Sequence, residues 1–293
     1  MKDNIREVVE IIENLSPQEG ENKTKVSGLI IRKHSSELIT HSVFRPLFCL
    51  TVQGDKEVEI GGTIYNYGSG DYVLVSADLA LTATISNVSE EKPYLGVLIE
   101  LDPLLVIDVL KDVTFEKRLN PSPERAVVVD HAEDRIVDAI KRLLLTLKND
   151  ENEYLSKLYI REIIFHLLSK ENGHTLYQLG LMGGQFQKIK KSISLILNNY
   201  KDKINIEDMA KLAAMSTSSF HKSFKDVTGL SPIQYQKKIR LMQARALITG
   251  SGEDISSVAF EVGYESPSQF SREYLRQFGK TPSEERVKYL SAN

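Results

Sequence analysis

One pattern occurs twice, about fifty residues apart, and it restricts the C-terminal third of the chain to two copies of one supersecondary unit. Residues 259–282 read AFEVGYESPSQFSREYLRQFGKTP, and residues 210–232 read AKLAAMSTSSFHKSFKDVTGLSP. With Phe220 set on Phe270, Phe224 falls on Tyr274, Gly229 on Gly279, Ser231 on Thr281 and Pro232 on Pro282. Ala210 meets Ala259 after a one-residue slip in the turn.

The residues of each copy dictate its shape. Ile206, Met209, Ala210 and Ala213 share one face of a short helix, as do Ile255, Val258, Ala259 and Val262. A break follows at Ala214-Met215-Ser216 in one copy and Gly263-Tyr264-Glu265-Ser266 in the other. Ser216 or Thr217, and Ser266 with Pro267 behind it, are start signals for a second helix. Phe220 and Phe224, or Phe270 and Tyr274, turn inward on that helix, and Gly229 or Gly279 stops it. Helix, short turn and capped helix make the helix-turn-helix plan, whose second helix enters the DNA major groove.

The outward positions suit that use. The first copy presents Ser218, Ser219, His221, Lys222 and Lys225, and the second Ser268, Gln269, Ser271, Arg272 and Arg276. Small hydroxyls allow close approach, Gln and Arg read base edges, and Lys contacts phosphate. A plain helical bundle with solvated polar faces is the alternative. Two copies in register, joined by one continuous helix, favour DNA. The joining helix is expected over Pro232–Ile248, with Ile233, Ile239, Met242, Ala246 and Leu247 toward the modules. Lys237, Lys238, Arg240 and Arg245 are expected to point largely outward. Its length of about 25 Å, with the width of the modules, reaches groove segments about 34 Å apart.

Residues 186–289 resemble the AraC/XylS-type DNA-binding domain. The resemblance is carried by Leu212-Ala213-Ala214-Met215-Ser216, Phe224-Lys225, Thr228-Gly229-Leu230-Ser231-Pro232, Arg240-Leu241, Ala244-Arg245, Val258-Ala259, Val262-Gly263-Tyr264 and Phe270-Ser271-Arg272 through Pro282. It implies base and phosphate contacts at Ser218, His221, Lys222, Ser268, Gln269 and Arg272. Tyr274-Leu275 stands where that family commonly has Phe-Lys, which removes one phosphate contact from the second module.

The net charge of -3 hides an asymmetry. From Gln185 onward there are 17 Lys+Arg and 11 Asp+Glu, a balance of +6; the preceding residues have 20 and 29, a balance of -9. A basic C-terminal part and an acidic N-terminal part fit DNA binding at one end only. The single cysteine, Cys49, excludes an intrachain disulfide and reads as a buried core residue. No stretch has the uncharged apolar length of a membrane span, and the acidic amphipathic start is unlike a signal peptide, so a cytoplasmic protein is expected.

From residue 26 to about 102 short runs rich in β-branched and aromatic residues alternate with turns such as Gln53-Gly54-Asp55, Gly61-Gly62 and Gly68-Ser69-Gly70-Asp71. That spacing fits an antiparallel barrel or sandwich. Residues 45–76 resemble the cupin-like N-terminal domain of one AraC-type regulator subgroup. Pro46, Gln53-Gly54, Lys56, Gly61-Gly62, Tyr67-Gly68, Gly70-Asp71-Tyr72 and Leu101-Asp102-Pro103 carry the likeness. It implies an effector-sensing or dimerising barrel. Phe44, Phe48, Tyr65, Tyr67 and Tyr72 are the candidate pocket residues, with core packing as their plainer role. His34 and His41 are seven apart with no His-x-His pair, and His131, His166 and His174 lie beyond the strands, so neither a metal nor another cofactor is expected.

Stripes at Ile136, Ile140, Leu143, Leu144 and Leu147, and at Leu155, Leu158, Ile160, Ile163, Ile164, Leu167 and Leu168, predict two amphipathic helices. They form a lid or a dimer interface, and the family resemblance leans toward a homodimer. The expected plan is α+β in two domains. Residues 1–172 hold a cupin-like antiparallel β-barrel, over about 26–102, with flanking helices over about 104–170. A linker occupies 173–185, and an all-α domain with two helix-turn-helix modules and a joining helix occupies 186–293. The expected function is sequence-specific regulation of transcription on double-stranded DNA, under a small-molecule effector. Contact with RNA polymerase through Glu284, Glu285 or Arg286 is left open. The alternatives are a constitutive dimeric DNA-binding protein and a cupin-type enzyme with a helical appendage; the missing metal set argues against an enzyme.

Overall fold

The strands expected between residues 26 and 102 form two antiparallel sheets. The computed structural model describes residues 2–112, 125–148, 153–181, 184–251 and 253–292. The chain falls into two compact units, Met1–Gln187 and Lys188–Asn293. In the first, α1 (Lys2–Asn14) is followed by β1 (Gly20–Lys23), β2 (Leu29–His34), β3 (Leu38–Phe44), β4 (Leu47–Gln53) and β5 (Asp55–Ile60). Then come β6 (Thr63–Tyr67), β7 (Asp71–Val75), β8 (Leu79–Ser86), β9 (Tyr94–Glu100), α2 (Pro103–Asp112) and β10 (Val127–His131). The unit ends with α3 (Asp134–Leu145), α4 (Glu153–Ser169) and α5 (His174–Gly180).

One sheet has the order β1-β2-β9-β4-β7-β10 and the other β3-β8-β5-β6. The expected barrel is thus a pair of facing sheets. Gly61 and Gly62, at φ of 57° and 79°, close the tight β5–β6 hairpin in which Ile60 pairs with Thr63. Two strands differ from the sequence expectation. β1 precedes the region where strands are expected, because its side chains alternate between half-buried and exposed and it holds only an edge position on β2. β10 extends the far edge of the same sheet along β7. Asn120-Pro121-Ser122-Pro123, whose two prolines mark a turn-rich connection in the sequence, lies outside the described residues.

The outer face of the larger sheet carries Leu29, Ile31, Phe48, Leu50, Tyr72, Leu74, Val97 and Ile99 into one core with α1, α3, α4 and α5. The two amphipathic helices fall where the leucine and isoleucine stripes place them. Arg142 of α3 ties them together. It donates Nη1 and Nη2 to the two oxygens of Glu162 on α4 at 2.9 and 2.7 Å, and stacks over Tyr159 at 4.9 Å. The segment 173–185 is not the open linker its glycines imply: residues 174–180 form α5, whose Leu176 and Leu179 are fully buried in this core.

The second unit is helical: α6 (Gly184–Asn198, crossing the boundary), α7 (Ile206–Leu212), α8 (Thr217–Thr228), α9 (Pro232–Ser251), α10 (Ile255–Glu261), α11 (Pro267–Phe278) and α12 (Pro282–Ala292). At 20 residues, α9 spans about 30 Å.

Leu143, with no exposed surface on α3, sits where both stripes meet. Leu143→Ala is expected to cost about 2–5 kcal/mol. The check is a lower urea midpoint at unchanged slope for the first transition.

Candidate nucleic-acid interface

Each copy of the repeat folds through the same backbone bonds. Asn205 caps α7 by accepting from the amides of Glu207 and Asp208 at 2.9 and 3.4 Å; Asp254 caps α10 by accepting from Ser256 and Ser257 at 3.0 and 3.2 Å. After α7 the Met215 amide donates to the Ala210 carbonyl at 2.9 Å, and after α10 the Tyr264 amide donates to the Ala259 carbonyl at 2.9 Å. Both turns pass through a left-handed residue, Ala214 at φ 50° and Gly263 at φ 90°. Glu265 is the extra residue that produces the slip. Ser216 and Ser266 then cap α8 and α11 through the amides of Ser219 and Gln269, and left-handed Gly229 and Gly279 end them.

The inward aromatics stack in series. Phe220 and Phe224 lie 5.8 Å apart, with Tyr235 of α9 edge-on to Phe224 at 5.7 Å. Tyr264, Phe270, Tyr274 and Phe278 form the matching column in the second module, with centroids 5.3, 5.5 and 4.5 Å apart. This burial fixes which side of α8 and α11 faces outward. Ser218, Lys222 and Lys225 are exposed on α8, with Ser219 and His221 half-buried beside them. Ser268, Gln269, Arg272 and Arg276 are exposed on α11, with Ser271 half-buried. Lys222 pairs with Asp226 at 2.8 Å while remaining 75% exposed. Lys225, Arg272 and Arg276 have no ion-pair partner among the described residues.

The basic face expected on α9 is instead turned inward. Arg240 donates Nε to the Tyr200 carbonyl at 2.6 Å, Nη1 to Gly263 at 2.7 Å, and Nη2 to Lys201 and Asp202 at 2.9 and 3.1 Å. Arg245 pairs with buried Glu285, which also accepts from the Tyr274 hydroxyl. Lys238 is buried, and Lys237 pairs with Glu273 at 3.0 Å. The physical reason is that orphaned loop and turn carbonyls beside α9 need donors, and arginine has the most. Glu285 is therefore a structural group inside the unit. On α11, Glu273 also accepts from Tyr264 at 2.8 Å and Gln269 at 3.4 Å. Burial pushes its carboxyl up, but the bonds from Lys237, Tyr264 and Gln269 outweigh this and leave it below its usual value. Sequence reading missed Glu273; its spacing four residues after Gln269 was the available signal. A groove of about 630 Å³, lined by Lys201, Lys203, Lys237, Arg240, Gln269 and Glu273 among others, runs beside the start of α11.

In the first unit the five candidate pocket aromatics separate. Phe44 and Tyr67 are buried between the two sheets, and Tyr65, paired with buried Val58, shares the inner face of β6. Phe48 and Tyr72 do not line that interior. They stack at 5.2 Å in the core between sheet and helices, because strand alternation sends them to the opposite face. His34 pairs with Glu19 at 3.5 Å and His41 with the Thr82 hydroxyl at 3.0 Å; no group of metal-ligating side chains occurs among the described residues.

Comparison with known proteins now decides the family. Residues 26–175, half the chain, match the family of the AraC-type transcriptional regulator N-terminus. The chain belongs to the AraC-type transcriptional regulators. Residues 209–288 match a helix-turn-helix domain family, the region in which the two modules lie. Similar relatives include the lactose operon transcription activator of Staphylococcus xylosus, 28% identical over 152 residues, which are 52% of this chain and 53% of that protein. Another is the RCS-specific activator RclR of Escherichia coli K12, 38% identical over 88 residues, 29% and 31% of the two chains. The match thus spans about half the length of the first of these, and less of the second. Among solved structures, unsaturated-fatty-acid-bound ToxT from Vibrio cholerae aligns with 92% of this chain and 97% of its own, at 15% identity and a TM-score of 0.54. That likeness is one of fold. No helix among the described residues is long and apolar enough to cross a membrane.

The two turns of this AraC-type chain are not interchangeable. A Cβ on Gly263 meets the Lys201 carbonyl oxygen at 2.1 Å and the Arg240 guanidinium at 2.9 Å. Gly263→Ala is expected to destabilise the second unit by about 2 kcal/mol or more. Ala214→Gly, in a turn that already tolerates a side chain, changes stability by under about 1 kcal/mol. Thermal melts of both variants check the contrast.

Proposed function

We propose that this chain is a sequence-specific regulator of transcription that sets α8 and α11 in successive major-groove segments of double-stranded DNA. The carrying observation is the pair of modules with identical turn bonding, whose buried aromatics leave small hydroxyls, Gln269, Lys225, Arg272 and Arg276 outward. Ser218, Ser219, His221 and Lys222 on α8, and Ser268 and Ser271 on α11, complete the proposed contact set. Arg272 and Gln269 are assigned base edges, and Lys222, Lys225 and Arg276 phosphates. The α11 Glu273–Gln269 bond orients the glutamine amide before DNA arrives. Lys201 and Lys203 line the groove beside α11 together with Asp202, Glu265 and Glu273, and Lys201 pairs with Glu261 at 3.3 Å.

The first unit is assigned effector sensing and dimerisation. ToxT, of similar fold, has been solved with an unsaturated fatty acid bound, which supports a small-molecule effector as a working part of this architecture. Dimerisation is favoured by α4, where Tyr154, Leu158 and Phe165 form an exposed apolar stripe at helical spacing. A regulator of this kind acts in the cytoplasm, and its assignment is to binding rather than to enzymatic chemistry.

A salt-dependent gel shift against the chain's own upstream DNA and a scrambled duplex of equal length tests the reading. Preference for the native fragment is expected; equal affinity at every salt concentration refutes sequence specificity. Arg272→Ala is expected to weaken specific binding by about 1–3 kcal/mol and to relax preference at one base pair. Lys225→Ala is expected to weaken all duplexes alike and to lower the salt slope by about one.

A further inference from the structure

The space between the two sheets holds more positive than negative charge. Lys56, only 5% exposed near the start of β5, has no hydrogen bond or ion pair among the described residues. Its ammonium lies over two rings, Phe44 at 5.4 Å and Tyr94 at 5.5 Å. The Arg32 guanidinium lies 5.3 Å from the same Phe44 ring. Arg32 gives Nε and Nη2 to a single oxygen of Glu21, at 2.9 and 2.6 Å, which leaves Nη1 unused among the described residues. Two cations therefore face one carboxylate. Around them, His34 is held below its usual value by burial, Tyr67 and Tyr94 are pushed up by burial, and Cys49 is buried. The Tyr67 hydroxyl, across the ladder from Lys56, is buried without a partner.

A desolvated ammonium is costly, and aromatic faces offset only part of that cost. Such a charge persists where an anion completes it. A cavity of about 230 Å³, lined by Glu21, Arg32, Phe44, Arg45, Leu98 and Glu100 among others, opens beside Arg32; its two arginines and two carboxylates balance, and Lys56, outside the lining, adds its charge over the shared Phe44 ring. That volume is below the roughly 300 Å³ at which drug-sized pockets begin. One uncompensated positive charge selects a monoanion over a dianion, and the apolar walls select a short hydrocarbon tail. We propose that the space between the sheets binds the carboxylate of a small organic acid, hydrogen-bonded by Arg32 and charge-balanced by Lys56. This deepens the effector-sensing reading above and rests on it.

The test is thermal unfolding of the full chain at pH 7 with sodium hexanoate, hexanamide or inorganic phosphate. Saturating hexanoate is expected to raise the first transition by about 3 °C or more, and the neutral amide and phosphate by less than about 1 °C. Lys56→Met is expected to abolish the hexanoate response and Lys56→Arg to keep it. Equal shifts with hexanoate and hexanamide, or a hexanoate shift that survives Lys56→Met, overturn the proposal. So does the absence of any hexanoate shift in the unaltered chain. Stabilisation by a neutral small-metabolite extract, when hexanoate gives none, refutes the carboxylate and leaves effector sensing standing. Should Lys56→Met fail to fold, pH reads the same group. Burial lowers Lys56 to about 8, so hexanoate binds less tightly as pH rises from 7 to 9. The titration is made in a Cys49→Ala background, and affinity that stays flat from pH 7 to 9 also overturns the proposal.

Discussion

The second unit depends on Arg240. Its guanidinium binds four carbonyls, at Tyr200, Lys201 and Asp202 before α7 and at Gly263 in the second turn. Each carbonyl lies in a loop or turn that no backbone ladder satisfies, and those of Tyr200 and Gly263 are partly buried, where an unpaired carbonyl costs about as much as a lost hydrogen bond. Arg240, with Gln236 one turn earlier donating to the Tyr200 and Asp202 carbonyls, thus ties together the loop ahead of the first module, the turn of the second and the helix between them. The position of α11 follows from that turn, and so does the side of α11 that stays in water. The basic side chains of this unit consequently divide: Arg240, Arg245 and Lys237 are held by partners within it, while Lys225, Arg272 and Arg276 have no ion-pair partner among the described residues.

The first unit uses the opposite economy of charge. Arg142, Glu162 and Asp138 are matched between α3 and α4, on the side of the larger sheet that packs against helices. On its other side Lys56 and Arg32 outnumber Glu21. The core between the larger sheet and the helices is therefore matched in charge within the chain, while the space between the two sheets, which Lys56 enters from the smaller one, is the region proposed to be completed from outside. An effector acts on DNA affinity only through a difference in its binding to two arrangements of the protein. A site whose unliganded state carries a buried, unbalanced charge has a large difference available.

How much of this was legible in the chain depends on the kind of signal. The repeat fixed both modules, their caps and their inward aromatics, because helix periodicity, Ser caps and Gly stops act over a few residues. The leucine and isoleucine stripes placed α3 and α4 for the same reason. The failures share a cause as well. β1 and β10 carry weak patterns because edge strands are defined by their neighbours. The glycines of 173–185 read as a linker, yet Leu176 and Leu179 had a core waiting for them. Phe48 and Tyr72 read as pocket residues because composition does not say which face of a strand is inside.

The sequence by itself determined that two helix-turn-helix units lie in series, that a strand-rich domain precedes them, and which side chains of α8 and α11 stay in water. Those properties follow from periods of 3.6 and 2 residues and from local caps. Only the tertiary structure decided that Arg240, Arg245 and Lys237 are spent inside the protein and that Lys56 is buried without a carboxylate. Partners such as Arg240 and the Tyr200 carbonyl, or Lys56 and the Tyr94 ring, stand about forty residues apart in the chain. Their pairing is set by packing, which no local pattern encodes.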